Sequence, residues 1–305
     1  MSAPIVFVCG ATGTQGGALA NHLLQQNIPV RAITRNTQSE IAQNLLARGV
    51  HLTQGNFDNE EALRKAMTGC TALFLNLMPS HLKPTGELDQ AKKIIAIAKE
   101  IGINQIIYTS AMGTVNPERL PAWNPASFPG MVLLSKQSIE NEVRTAGFEK
   151  WTILRPGNFM SNFINPLVRM YNGLVETGVF TTAFTIETVL PMVDPNDIGR
   201  FAAAAVLGSD RFHGKEIEVA SQMMGAQALM EDLSQATGKD MRVVFLSDEE
   251  INEKVTQDPF LGAQLVIRDM AIFVEFEKVK EWNIELGTFA QFLEREKERV
   301  QATYN

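Results

Sequence analysis

A chain of 305 residues with 45% hydrophobic and 20% charged residues is long enough for one large or two small soluble domains with a full core. Its net charge of -7 supplies no field to hold nucleic acid or an anionic membrane surface. Two cysteines and four scattered histidines argue against a disulfide framework and against a metal centre.

The first element is a short apolar run, Ile5 to Val8, without alternation, as in a strand covered on both faces. It leads into CGATGTQGG at residues 9–17 and then into a segment whose Ala20, Leu23 and Leu24 fall at helical spacing. The glycines therefore stand at a strand-to-helix turn, with Gly10, Gly13 and Gly16 spaced G-x-x-G-x-x-G. Such a turn brings backbone N–H groups and a helix N-terminus against a pyrophosphate, and a Cβ at the closest positions would hold the phosphates away. We expect Gly10, Thr12, Gly13, Thr14, Gln15 and Gly16 to hold a dinucleotide. The alternative is a plain tight turn before a glycine-softened helix, and context decides between them. The next strand-like run, Val30 to Thr34, ends at Arg35, about 20 residues past the last glycine, where a dinucleotide fold meets the adenosine ribose. An acid there would suit the hydroxyls of NAD(H). Arg35 followed by Asn36 suits a 2′-phosphate instead, so the expected cofactor is NADP(H).

The alternation continues. A helix over 40–48 is closed by Gly49, a strand runs over 50–55, and Asn56, Phe57 and Asp58 lead into a helix over 60–67 closed by Gly69. A strand over 72–77 precedes a helix over 87–101, with Leu88, Ala91, Ile95 and Ala98 on one face and Gly102 beyond its end. Residues 104–110 form a fifth strand. This pattern implies an α/β fold: a doubly wound parallel sheet of the Rossmann type, with ligands at the carboxyl ends of its strands. Residues 114–130, with Pro117, Pro121, Pro125 and Pro129, read as a long loop of the kind that carries function. A helix over 131–146 and a strand over 151–156 follow.

Beyond Gly157 the sequence turns aromatic and methionine-containing, with Phe159, Met160, Phe163, Met170, Tyr171, Phe180 and Phe184. Later elements are a helix over 197–207, a strand over 215–220, a helix over 225–237, a strand over 241–246, and helices over 259–280 and 288–300. We expect a dinucleotide-binding domain at 1–157, to which the chain returns around 188–221, and a smaller α+β lobe at 158–305 that takes the substrate. No apolar run approaches 18 residues, and no basic-then-apolar leader precedes Ile5, so the expectation is a cytoplasmic protein that binds no membrane.

Five segments together resemble the NmrA-like proteins, a group of atypical short-chain dehydrogenases: CGATGTQGG (9–17), VRAITRN (30–36), ARGVHLTQGN (47–56), YTSAMG (108–113) and LRPGNFM (154–160). They occur in the family's order and span most of the chain. The resemblance implies a Rossmann lobe, an NADP(H)-type cofactor and a small C-terminal lobe closing a substrate cleft. It also implies a choice of function. Some members are reductases, including isoflavone-reductase-like, quinone-reducing and secondary-metabolism enzymes, while others bind the cofactor and regulate a protein partner. Asn56 and Phe57 fall at the adenine, where relatives usually have Asp in place of Asn56. Asn76, Pro156, Asn158 and Phe159 fall where the nicotinamide ribose and ring should lie.

The greater departure concerns catalysis. Typical short-chain dehydrogenases use Tyr-x-x-x-Lys with a Ser from the fifth strand: the phenol moves the proton of a carbonyl/alcohol pair, and the ammonium one turn on lowers its pKa. Here Ser110 and Lys136 occupy two of these places, and Val132 stands where the tyrosine would be. In isolation, Lys136 reads as a solvated helix lysine paired with Glu140 at i+4, and Ser110 as a turn cap. The resemblance instead assigns Lys136 to the ribose and the substrate oxygen, and Ser110 to orienting that oxygen. Tyr108, Tyr171 and His81 are the other candidate proton donors. Phe159, Met160, Phe163, Trp123 and Trp282 either line an apolar cleft or are plain core. The leading expectation is an NADPH-dependent reductase of a small apolar or aromatic metabolite. A non-catalytic NADP(H) sensor with a protein partner, or a lyase or cyclase using the fold as scaffold, stands as the alternative.

Overall fold

The structure, a computed structural model, describes residues 3–79, 85–256 and 258–305. His81 lies outside the described residues. The chain divides into two compact units: residues 1–114, 131–155 and 195–217 form the first, and 115–130, 156–194 and 218–305 the second. The proline-rich loop thus counts with the second unit, and the return to the first covers 195–217.

Strands Val6–Val8 (β1), Val30–Thr34 (β2), His51–Gln54 (β3), Ala72–Leu75 (β4), Gln105–Thr109 (β5), Lys150–Pro156 (β6) and Lys215–Val219 (β7) form one sheet in the order β7-β6-β5-β4-β1-β2-β3. The neighbours are parallel, with Val6 opposite both Val30 and Ala72. Strands β1, β4 and β5 are buried along their whole length, which is why they read as unbroken apolar runs. The order reverses between β1 and β4, and the carboxyl ends of these two strands flank the switch point where such sheets take ligands.

The connecting helices of this unit are Thr14–Gln25 (α1), Glu40–Ala47 (α2), Glu60–Met67 (α3), Gly86–Ile101 (α4), Phe128–Thr145 (α5) and Pro195–Leu207 (α6). Ser39 and Asn59 cap α2 and α3 by accepting from Ala42 and Ala62 N–H, and Gly102 closes α4 at φ +92°. Helix α1 lies close against α6, where a Cβ on Gly199 would come within 2.7 Å of the Ala18 carbonyl carbon. Helix α5 starts at Phe128, earlier than the sequence suggests, because Pro129 falls in its first turn, where no intrahelical N–H is needed.

The second unit has a three-stranded sheet, in which Leu190–Val193 pairs antiparallel with Gln222–Met224 and parallel with Asn158–Phe159, and a parallel pair of Val179–Thr182 with Arg242–Phe245. Its core is aromatic. Phe163 stacks on Tyr171 at 4.9 Å and meets Phe180 and Phe289 edge-on at 5.9 and 5.6 Å. The helix expected over 259–280 is three pieces, Pro259–Arg268, a 3₁₀ turn Met270–Phe273 and Phe276–Lys280. Asp269 and Val274 leave helical geometry there, beside Ile272 and Phe273, which are poor helix formers. The helix expected over 288–300 likewise breaks at Glu296, into Phe289–Arg295 and Lys297–Tyr304. Among the described residues no helix is long and apolar enough to cross a membrane.

Candidate cofactor and catalytic site

At the end of β1 the chain turns through Gly10, in left-handed geometry at φ +68°. Gly13 N–H donates to Gly10 O at 2.8 Å, and Gly13 serves as the N-cap of α1. A Cβ on Gly16 would lie 2.4 Å from Gly10 O and 2.5 Å from Cys9 O, so only glycine lets α1 start this close to the strand end. Among the described residues no side chain caps α1, and its first turn holds no acidic residue. The unsatisfied N–H groups and the positive end of the helix dipole are therefore left to an anion. Gln15 reaches across from the first turn of α1. Its Oε1 accepts from Thr109 Oγ1 at 2.6 Å and its Nε2 donates to Asn76 Oδ1 at 3.4 Å, linking the carboxyl ends of β4 and β5. Thr12 is half-buried and Thr14 exposed beside it. Burial pushes the Cys9 thiol up to about 12, against an opposing hydrogen bond from the Asn76 backbone, so this cysteine is no nucleophile.

Arg35, just past β2, is exposed and makes no ion pair among the described residues. Its neighbour Arg31 is committed to the carbonyl of Thr68. Asn36 Oδ1 accepts from Gln38 N–H at 2.9 Å, and Asn56 Oδ1 accepts from Asp58 and Asn59 N–H at 2.9 and 3.1 Å. An aspartate in place of Asn56 could build the same turn and still offer a second acceptor oxygen. Asn56 offers N–H donors instead. Phe57 packs half-buried against the core of the unit.

Lys136 is not the solvated partner of Glu140. It is buried, and its Nζ donates to Glu87 Oε1 of α4 at 2.8 Å. Glu87 Oε2 accepts from Ser135 Oγ at 3.2 Å, so one buried carboxylate binds two successive residues of α5. Glu140 is taken instead by Arg155, whose Nε and Nη2 meet its two oxygens at 2.8 and 2.7 Å, and by Arg144 at 2.7 Å. Arg155 also binds Glu216. Ser110 is buried after β5, its N–H donating to Leu154 O at 2.7 Å and its Oγ lying 3.3 Å from Thr114 Oγ1. The Lys136 ammonium lies 6.0 Å from the centroid of the Tyr108 ring. Tyr108 is sealed in the core, and its hydroxyl is buried without a hydrogen-bond partner among the described residues. Burial, then the Glu87 and Glu140 carboxylates, hold its pKa well above the usual phenol range, which makes it a poor proton donor.

Pro156, Asn158 and Phe159 belong to the second unit. Pro156 and Asn158 are buried. Asn158 Nδ2 meets Met192 Sδ at 3.4 Å, and its Oδ1 accepts from Asn162 at 3.2 Å. Phe159 is half-buried. Met160, Phe163 and Tyr171 are core residues of that unit, and Trp123 and Trp282 are half-buried. Burial raises the Tyr171 phenol, outweighing its hydrogen bonds with Asn158 and Asn162. The structure thus gathers the glycine turn, Gln15 and Asn76 around one strand-end switch point, while Asn158 and Phe159 are held by contacts of their own unit.

The NmrA-like family matches residues 3–297. The chain belongs to the NmrA-like family. An NmrA-like family domain-containing oxidoreductase of Aspergillus campestris is 29% identical over 262 residues, covering 80% of this chain and 76% of the relative. The NADPH-dependent quinone oxidoreductase of Escherichia coli, solved with NADPH, aligns at a TM-score of 0.72 and 22% identity, over 95% of this chain and 99% of its own. The negative transcriptional regulator NmrA, solved with NAD, aligns at 0.67 and 17% identity, over 100% of this chain and 96% of its own. At these identities the solved structures share the fold. Glu87 and the Arg155–Glu140 pair are the residues that sequence reasoning missed. The only signal for Glu87 was its acidic character in the first turn of α4, which reads equally well as an ordinary helix start.

Proposed function

We propose that this NmrA-like chain is an NADPH-dependent reductase of a small, apolar or aromatic molecule with a conjugated carbonyl or related acceptor. The observation that carries the reading is the buried ammonium of Lys136, fixed on α5 within a unit whose glycine turn leaves an uncapped, acid-free helix N-terminus. The name of the Aspergillus relative supports oxidoreductase chemistry, and the E. coli structure supports NADPH. In this reading Gly10, Gly13 and Gly16 admit the pyrophosphate to the N-terminus of α1, and Arg35 meets the 2′-phosphate. Thr12, Thr14, Gln15 and Asn76 line the path towards the nicotinamide, with Asn56 and Phe57 at the adenine.

Bound NADPH supplies the hydride. An ammonium carries several N–H donors. Lys136 spends one on Glu87 and directs the others to the ribose and, directly or through a water, to the substrate oxygen that gathers negative charge. Ser110 orients that oxygen. Without a tyrosine at position 132, protonation falls to Lys136 or solvent. General acid help is worth about 10²–10⁴-fold, so the chemistry then favours acceptors that need little of it.

Stopped-flow fluorescence of bound NADPH against a panel of quinones, enones and aromatic carbonyls tests the reading. We expect oxidation with at least one acceptor, slowed at least about tenfold in Lys136→Met and by a smaller factor in Ser110→Ala. Tight NADPH binding with no oxidation across the panel would replace the reductase with a nucleotide sensor or a scaffold. Turnover untouched by Lys136→Met would keep the enzyme and remove its lysine.

A further inference from the structure

Among the described residues, two ion pairs of opposite character, Lys92–Glu142 and Lys136–Glu87, are seen between helices α4 and α5. Lys92 and Glu142 meet at 3.4 Å with side chains 53% and 38% exposed, an ordinary surface contact. Lys136 and Glu87 meet at 2.8 Å with side chains 10% and 1% exposed. Burying two charges opposes folding, and an apolar pair of similar volume would hold the helices together without that penalty. What the buried pair adds is a fixed place for one cation. Glu87 stands in the first turn of α4, where the positive helix end favours a carboxylate. Both of its oxygens are engaged, one by the Lys136 ammonium and one by Ser135 Oγ. The Tyr108 ring centroid lies 6.0 Å from the ammonium. Glu140, the carboxylate one helical turn from Lys136, is withdrawn by the two-pronged contact with Arg155. Among the described residues the lysine therefore has a single anionic anchor, and it comes from a different helix.

From this geometry we infer that Glu87 is the positioning residue of the site: it holds the Lys136 ammonium in place for the substrate oxygen and the ribose. The inference rests on the reductase reading for its rate effect, and on Lys136 alone for its structural effect. A mere staple between α4 and α5 would alter stability without acting through Lys136.

The test is a double-mutant cycle on the full-length protein with Glu87→Gln, Lys136→Met, the double variant and Glu87→Asp. It is read by the single-turnover rate of NADPH oxidation and by NADPH affinity from fluorescence. Glu87→Gln should slow hydride transfer by about tenfold or more, with a smaller loss of NADPH affinity from the displaced ribose contact. The double variant should be no slower than Lys136→Met, because Glu87 acts only through the lysine. Glu87→Asp should recover part of the rate. A wild-type rate in Glu87→Gln, or a full further loss on top of Lys136→Met, would overturn the inference. Should Glu87→Gln fail to fold, Ser135→Ala removes only the second contact to Glu87 and should give the same pattern with a loss of about two- to fivefold.

If no acceptor is reduced, the reductase reading fails separately, and proton–nitrogen correlation spectra of the lysine side chains still decide. A slowly exchanging ammonium signal that Lys136→Met removes should be lost in Glu87→Gln and kept in Glu87→Asp. Its persistence unchanged in Glu87→Gln would overturn the inference.

Discussion

The glycine turn after β1 and the lysine on α5 belong to one unit but are built in opposite ways. The turn is made of backbone. Gly13 N–H meets Gly10 O, and the gap at Gly16 is set by the carbonyls of Gly10 and Cys9, all within eight positions of one another. The lysine is placed by a side chain 49 residues away in sequence. A site made of local backbone leaves its spacing in the sequence, because only glycine satisfies the geometry. A site made of a buried pair leaves only residue types, and any acid on any neighbouring helix would serve.

The largest expected effect tests the backbone half. Gly16→Val would drive its Cβ into two carbonyl oxygens that cannot swing aside, so α1 must move off the strand end. We expect NADPH affinity to fall beyond about a hundredfold and stability to drop by about 1–3 kcal/mol. Calorimetry and thermal melts read the two effects. Gly13→Ala is the milder companion, because its Cβ would sit 3.3 Å from Gly10 O, a contact that small shifts relieve. A Gly16→Val protein that binds NADPH normally would break the contrast.

The same distinction explains what was legible. Much of the first unit was readable because β1, β4 and β5 are short apolar runs and because Gly49, Gly69 and Gly102 follow the ends of α2, α3 and α4. The second unit was less legible. Its segments between 158 and 190 are held by the mutual packing of Phe163, Tyr171 and Phe180 rather than by periodicity, and the break at Asp269 carries no Gly or Pro. Within the candidate site, Gly10 and Gly16 were legible, whereas Glu87 and the Arg155 contact to Glu140 were not. Their partners are set by which helices and strands the fold brings side by side.

Arg35 sharpens the comparison from a third position, since it is a side chain that is exposed and unpaired among the described residues. Its contribution to binding would come from a charge-assisted contact to the 2′-phosphate, worth about 1.5–3 kcal/mol. Arg35→Ala should therefore weaken NADPH by roughly tenfold to a hundredfold and leave NADH nearly unchanged. Titration calorimetry with both cofactors measures this. Equal affinity of the wild-type protein for NADPH and NADH would remove Arg35 from the cofactor site.

The smallest effect concerns charge in the second ion-pair network, where Glu216 meets Arg144 and Arg155. Partial burial pushes the Glu216 carboxyl upward, but hydrogen bonds and charge from the two guanidinium groups outweigh it and leave its pKa below the usual glutamate value. A carboxylate whose folded pKa is depressed binds fewer protons in the folded state than in the unfolded one. Its stabilisation is complete above the unfolded value of about 4.3 and is lost as pH falls through the folded value. Thermal midpoints of the wild-type protein should therefore decline on acidification below about pH 4.5, and Glu216→Gln should show a shallower decline, by about one or two degrees. At neutral pH the variant should melt slightly lower than wild type, because the glutamine keeps hydrogen bonds but not the charge. Identical acid limbs would mean that the network is held by shape and hydrogen bonds alone. In that case the side-chain half of the contrast would depend on geometry as strictly as the glycine turn does, and charge would matter only at Lys136.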